Sequence, residues 1–169
     1  LVRAGKFVLL VGRDQERLGT LALELKTEFA VADITSSDVL QAAIGGAKLT
    51  QPISSFVNCV GSILLKPAHL TTDAEFRDVI DTNLFSAFAT VKCAGKLLRQ
   101  SGGSVVLIGS AAGSLGIANH EAIAAAKAEL ISSLRDLQPL HQFQIVFYNE
   151  QLSVFNPLAP ARPAILFAS

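Results

Sequence analysis

The sequence contains no methionine and no tryptophan, and its one tyrosine is Tyr148. Ordinary composition would supply several methionines, the first at position 1, so the chain is expected to be part of a longer one, truncated at both ends. Net charge is also missing: Lys and Arg number 14, as do Asp and Glu. That balance removes the electrostatic basis for binding nucleic acid or an anionic membrane surface. No apolar run approaches the ~20 residues that cross a bilayer, and the run at 7–11 is too short for the core of a signal peptide. The three histidines are scattered and give no zinc spacing. Cys59 and Cys93 fall in apolar segments. They are expected to be buried, reduced thiols of a cytoplasmic protein rather than a disulfide or metal pair. Half of the residues are hydrophobic and only 17% are charged, so the chain is expected to form a single domain with a sizeable core.

Apolar runs alternate with helical periodicities. Residues 7–11, closed by Gly12, read as a strand covered on both faces. Leu18, Leu21 and Leu25 mark a helix over 14–26. Residues 29–32 form a second short strand, stopped by Asp33. Thr35-x-x-Asp38 signals the next helix start, and Val39, Leu40, Ala43 and Ile44 give that helix a face. Residues 53–60 read as a third strand ending at Gly61. Thr72-x-x-Glu75 is a capping box, and its helix runs from 73 to about 99, broken by Gly102-Gly103. Residues 104–108 form the fourth strand, and Asn119 caps a helix through 134. This alternation predicts an α/β fold with a parallel sheet and right-handed crossovers. The tail over 139–169, with prolines at 139, 157, 160 and 163, has no clear element pattern.

The distinctive polar residues fall at strand ends: Arg13, Asp33, Asn58 to Gly61, and Ser110. In a doubly wound sheet, ligands bind outside the carboxyl ends of the strands. The segment Ser104 to Ser110, then Gly113, then Ile123-Ala124-Ala125-Ala126-Lys127 is the most specific. Ser110 closes a strand and Lys127 lies on the following helix. Thirteen positions separate Ser110 from Ile123, and four separate Ile123 from Lys127. This resembles the catalytic segment of the short-chain dehydrogenase/reductase family, in which such a serine is followed by Tyr-x-x-x-Lys. Here isoleucine stands in place of the tyrosine. Positions 123 and 127 share one helix face, so Ile123 keeps the geometry and lacks the proton.

The resemblance implies roles. Ser110 orients the oxygen at the reacting carbon. Lys127 bonds the nicotinamide ribose and lowers the pKa of a neighbouring phenol, which is otherwise a poor acid–base at neutral pH. Asn83, in Asp81-Thr82-Asn83-Leu84, maintains a water that links the lysine to solvent. Asn58-Cys59-Val60-Gly61 resembles the family's Asn-Asn-Ala-Gly; its asparagine ties neighbouring strands, and Gly61 admits the cofactor to the backbone. Asp33 contacts the adenine amino group. Arg13 pairs with a 2′-phosphate and favours NADP(H) over NAD(H). Without the resemblance, Arg13 also reads as a solvated arginine at a helix start, Asp33 as an aspartate before a helix, and Asn83 as a surface asparagine. His120, three residues before Ile123, is a candidate substitute for the phenol because imidazole titrates near neutrality. With Glu121 it also reads as a polar first helical turn. Tyr148, in the tail, is not assigned the phenol's role.

The resemblance spans residues 7 to about 134. It implies an incomplete Rossmann-type doubly wound sheet, because the family's opening strand and Thr-Gly-x-x-x-Gly-x-Gly loop are not in the sequence. The neighbours of that strand are then expected to expose unpaired backbone and apolar surface. Asn156 and Pro160 match the family's Asn-x-x-x-Pro-Gly, whereas Asn149 has the usual spacing without the proline. The implied function is hydride transfer between NADP(H) and a small carbonyl compound or secondary alcohol. The implied partner is a second copy, through helices 73–99 and 119–134, with no metal. The missing tyrosine implies impaired activity. A non-catalytic nucleotide-binding or oligomerisation module, or a truncated product without function, is the alternative.

Overall fold

The computed structural model describes residues 1–110, 117–135, 142–148 and 153–155. Strand β1 (Leu9–Gly12) leads into helix α1 (Gln15–Leu25), whose start is capped by Asp14 Oδ1 accepting the Arg17 N–H at 2.9 Å. Strand β2 (Glu28–Val31) follows, then α2 (Ser37–Gly46). The cap of α2 is Ser36, whose Oγ accepts the Val39 N–H at 3.4 Å, and not Thr35 as expected. The backbone N–H and hydroxyl of Thr35 are both taken by Asp33 Oδ1, at 3.0 and 2.8 Å. Strand β3 is Ser55–Asn58, shorter than expected at both ends.

The helix expected over 73–99 is divided. Helix α3 (Asp73–Ile80) begins at the Thr72–Glu75 capping box. It passes into one wide π segment, Asp81–Phe85, and continues as α4 (Ser86–Leu97). Such π segments interrupt the regular ladder and concentrate at functional sites. Gly103 then turns the chain into β4 (Ser104–Ser110) at φ +158, where an added Cβ would lie 2.5 Å from the Ser54 carbonyl oxygen. Helix α5 is Glu121–Arg135. Asn119 does not cap it: this residue sits in a left-handed turn at φ 62, a conformation asparagine tolerates. Helical bonding starts at the His120 carbonyl, which accepts the Ala124 N–H at 2.8 Å. Within the tail, β5 (Gln142–Tyr148) and β6 (Ser153–Phe155) extend the sheet.

Strands β3, β4 and β5 are parallel neighbours in that order, and β6 returns antiparallel along β5. Strands β1 and β2 form a separate parallel pair. No hydrogen-bonded ladder joins the two groups among the described residues. One helix layer spans them: Leu40 and Ile44 of α2 and Ala89 and Cys93 of α4 pack under Leu9 and Val11 of β1 and Phe56 of β3. The chain therefore adopts a partial doubly wound α/β sheet. Strand β1, expected to be covered on both faces, is half-buried along its whole length because only one edge is paired. In β4, by contrast, burial alternates: Val105 and Leu107 sink against Ala94 of α4 and Leu98, which follows it, and Val106, Ile108 and Ser110 share the half-buried opposite face.

Candidate functional site

Lys127 is carried by α5 to the end of β4. It is only 5% exposed, and its Nζ donates to the Ile108 carbonyl oxygen at 3.0 Å. Burial pushes its pKa down to about 8, because desolvation penalises the ammonium. Gly61, in the loop after β3, approaches from the other side. A Cβ there would stand 3.0 Å from Asn83 Oδ1 and 4.0 Å from Lys127 Nζ. Three of the expected site residues, Gly61, Asn83 and Lys127, are thus brought together.

Asn83 is buried in the π segment, and a surface reading of it does not hold. Its Nδ2 donates to the Val79 carbonyl at 2.9 Å, to Ser62 Oγ at 3.1 Å and to the Ser62 carbonyl at 3.2 Å; its Oδ1 accepts the Ser62 N–H at 3.3 Å. Sequence reasoning missed Ser62. Its only sequence signal is its place directly after Gly61. Together these bonds clamp the loop after β3 to the wide turn of the helix.

Asn58 is buried at the end of β3. Its Nδ2 donates to Ser86 Oγ at 3.3 Å and its Oδ1 accepts the Val60 N–H at 2.8 Å. Its side chain therefore ties β3 to α4 and shapes its own loop. Cys59, expected to be buried, is exposed because it lies past the end of β3, whereas Cys93 is buried as expected; both thiols are unpaired. Arg13 and Asp33 are exposed at the ends of β1 and β2. Asp33 is held below its ordinary pKa by the Thr35 backbone N–H, then by the Thr35 hydroxyl, with a smaller contribution from the positive charge of Arg13.

Ser110 and Tyr148 are register partners at the carboxyl ends of β4 and β5. The His120 ring Nδ1 lies 2.9 Å from the Ala118 carbonyl oxygen. Glu121 is exposed and lines a shallow cavity with Thr72, Asp73 and Phe76, away from the Lys127 cluster. Ile123 is a core residue. It is 3% exposed and packs with Val79, Ala122 and Ala126, against Leu64, Ile80 and Leu84. Lys66 fastens the loop above it: Nζ reaches both Glu75 oxygens, at 2.9 and 2.8 Å, and its N–H donates to the Asn119 carbonyl at 2.9 Å. That bond to Lys66, with those to Thr72, holds the Glu75 pKa down at about 2. Gly113, Asn149, Asn156 and Pro160 lie outside the described residues.

The strand ends carry a buried lysine, a closely approached glycine and a terminal serine. Residues 1–147 match the short chain dehydrogenase family. The chain belongs to this family. It is 30% identical over 116 residues to galactitol 2-dehydrogenase (L-tagatose-forming) of Cereibacter sphaeroides, covering 66% of this chain and 46% of that protein. It is 30% identical over 144 residues to the inactive 2-(S)-hydroxypropyl-CoM dehydrogenase 2 of Xanthobacter autotrophicus, covering 80% of this chain and 61% of that protein. Among solved structures, the closed form of a serine dehydrogenase complexed with NADP+ superposes with a TM-score of 0.71 at 26% identity, covering 79% of this chain and 57% of that one. The chain thus spans about half the length of the first of these relatives.

The fit to a nicotinamide dinucleotide can be judged from the residues. The close approach at Gly61 sets its backbone against the Asn83 amide and near the Lys127 ammonium, a donor that a ribose hydroxyl can use. Arg13 supplies positive charge and Asp33 an acceptor at the other strand ends. The glycine-rich run that cradles a pyrophosphate is not in the sequence. The residues therefore fit the two ends of such a molecule.

Proposed function

We propose that this chain carries the catalytic rim of an oxidoreductase that moves hydride between NADP(H) and a carbonyl compound or secondary alcohol. The observation that carries the reading is the convergence of Gly61, Asn83 and Lys127 beside the end of β4. When bound, the nicotinamide supplies the hydride. Lys127 holds its ribose, Ser110 orients the substrate oxygen, and Asn83 with Ser62 keeps the loop after β3 in place. Asn58 shapes the backbone leading to Gly61. Asp33 accepts from the adenine and Arg13 pairs with the 2′-phosphate. The complex of serine dehydrogenase with NADP+ supports the choice of nucleotide. The test is competitive: NADPH should bind at least ~10-fold more tightly than NADH, and Arg13→Asp should abolish the difference. Equal binding of both nucleotides would overturn the NADP(H) preference.

Copies of the chain pair through α3, α4 and α5 in this reading. Phe76, Phe85 and Phe88, exposed at 40%, 49% and 58% along that helix, support it. Two unpaired thiols support a cytoplasmic, reducing setting. A second reading, nucleotide binding without turnover, is favoured by one observation: Ile123 fills a core position where the family has its phenol. The name of one relative includes the word inactive, which supports this reading. Loss of turnover with retained NADPH binding would select this reading.

A further inference from the structure

We propose that Ser86 is a positioning residue of the nucleotide rim: its hydroxyl braces the wide turn that carries Asn83, and so sets the place of Gly61 beside Lys127. The proposal rests on the oxidoreductase reading and names a further residue of the same site. The carrying observation is a pair of bonds made by one residue. In a regular helix each N–H donates to the carbonyl four residues back. The Ser86 N–H donates instead to the Asp81 carbonyl, five residues back. The Thr82 carbonyl, its regular partner, is taken by the Ser86 hydroxyl at 2.7 Å. One residue therefore makes the widening and supplies the partner that the widening removes.

The hydroxyl is held in that direction. Ser86 is fully buried, and its Oγ accepts from Asn58 Nδ2 at 3.3 Å. With the oxygen engaged by that amide, the proton goes to Thr82. Asn58 ends β3 and Ser86 begins α4. A second bond crosses in the other sense: Asn83 of the widened turn donates to Ser62 Oγ of the loop at 3.1 Å. Strand and helix thus each give an asparagine to a serine of the other. Gly61 lies between Asn58 and Ser62 in the chain, so the two crossing bonds hold it from both ends. That is the glycine whose added Cβ would stand 4.0 Å from Lys127 Nζ.

Thr90 makes the contrast. It is also buried, and its hydroxyl also bonds four residues back, to the Ser86 carbonyl at 2.8 Å. It lies inside α4, past the widened turn. In a regular helix such a bond is an addition to the backbone ladder and slightly destabilising. At Ser86 the same kind of bond replaces a backbone bond that is missing. Loss of the Ser86 hydroxyl takes a partner from the Thr82 carbonyl and from the buried Asn58 amide, and a buried polar group without its partner is costly. The wide turn then loosens, Asn83 releases Ser62, and Gly61 leaves its place beside Lys127.

Native-state hydrogen exchange read by NMR tests the brace without any ligand. The Ser62 N–H donates to Asn83 Oδ1 at 3.3 Å. It should exchange at least ~10-fold faster in Ser86→Ala, beyond any change in the amides of β4. Thr90→Val removes a buried hydroxyl of the same helix and nearly keeps its shape; relative to β4 it should leave Ser62 exchange unchanged. Calorimetric titration reads the consequence. The NADPH dissociation constant should rise ~10-fold or more in Ser86→Ala and stay unchanged in Thr90→Val. Where Ser86→Ala does not fold, Ser86→Cys keeps the volume with a weak donor and should move both readings the same way. Ser62 exchange that is insensitive to the loss of the hydroxyl, or that Thr90→Val speeds as much, overturns the proposal. Faster exchange with unchanged NADPH affinity overturns the role of Ser86 at the rim. If even the unaltered chain binds no NADPH, the nucleotide reading falls, and the exchange still decides whether Ser86 braces the turn.

Discussion

Lys127 and Ile108 are joined by a 3.0 Å hydrogen bond from ammonium to strand carbonyl. The bond fixes α5 against β4 and leaves a buried cation two residues before Ser110. Its electrostatics are measurable. Burial lowers the pKa of Lys127 from 10.5 to about 8. Between those values the unfolded chain holds a proton that the folded chain has released, so stability rises as pH increases across that window. Its full extent is about 3 kcal/mol. Urea unfolding at pH 8 and at pH 10.5 should show that rise beyond whatever slope Lys127→Met retains. Identical slopes for the two proteins would place the ammonium in water.

Ile123 predicts a penalty for restoring the aromatic ring. The residue is 3% exposed and surrounded by Val79, Ala122, Ala126 and Leu64. Ile123→Tyr overfills that space and should cost ~1–3 kcal/mol. Ile123→Val, which removes one methylene, should cost ~0.5–1.5 kcal/mol. Denaturation midpoints of the two variants decide this. A tyrosine accepted without loss would mean that position 123 opens onto the rim.

Glycine positions separate close approach from open space. At Gly61 an added Cβ meets Asn83 Oδ1 at 3.0 Å, and Asn83 is held by four hydrogen bonds that resist movement. Gly61→Ala should destabilise by ~1–3 kcal/mol and weaken NADPH binding. At Gly45, near the end of α2, nothing lies within 4 Å of an added Cβ. Gly45→Ala should stabilise by ~0.5–1 kcal/mol and leave binding unchanged. Thermal melts together with binding titrations test the contrast.

The strands β1, β2 and β4 were legible because each holds an apolar run closed by a polar or glycine residue; β3, Ser-Phe-Val-Asn, is half polar, and its bounds were read too wide. The capping box at Thr72 was legible because Thr and Glu stand three apart and bond reciprocally. Other features had no local signal. Asp81-Thr82-Asn83-Leu84 fits a regular helix as well as a π segment; the widening shows in the backbone, where the Ser86 N–H donates to the Asp81 carbonyl five residues back. Thr35 and Ser36 both offer a hydroxyl at the start of α2, and the choice falls to Ser36 because Asp33 captures Thr35. Ile123 matched a spacing, but only tertiary packing shows that it is core. The pairing of Tyr148 with Ser110 is non-local and depends on the register of two strands.

The central claim is that the strand ends form a nicotinamide-nucleotide rim built around Lys127. Calorimetric titration of NADPH into this chain and into Lys127→Met tests it most directly. The account predicts saturable one-site binding, weakened at least ~10-fold by the substitution, which corresponds to about 1.4 kcal/mol. Absent binding, or equal affinity in the two proteins, would contradict it.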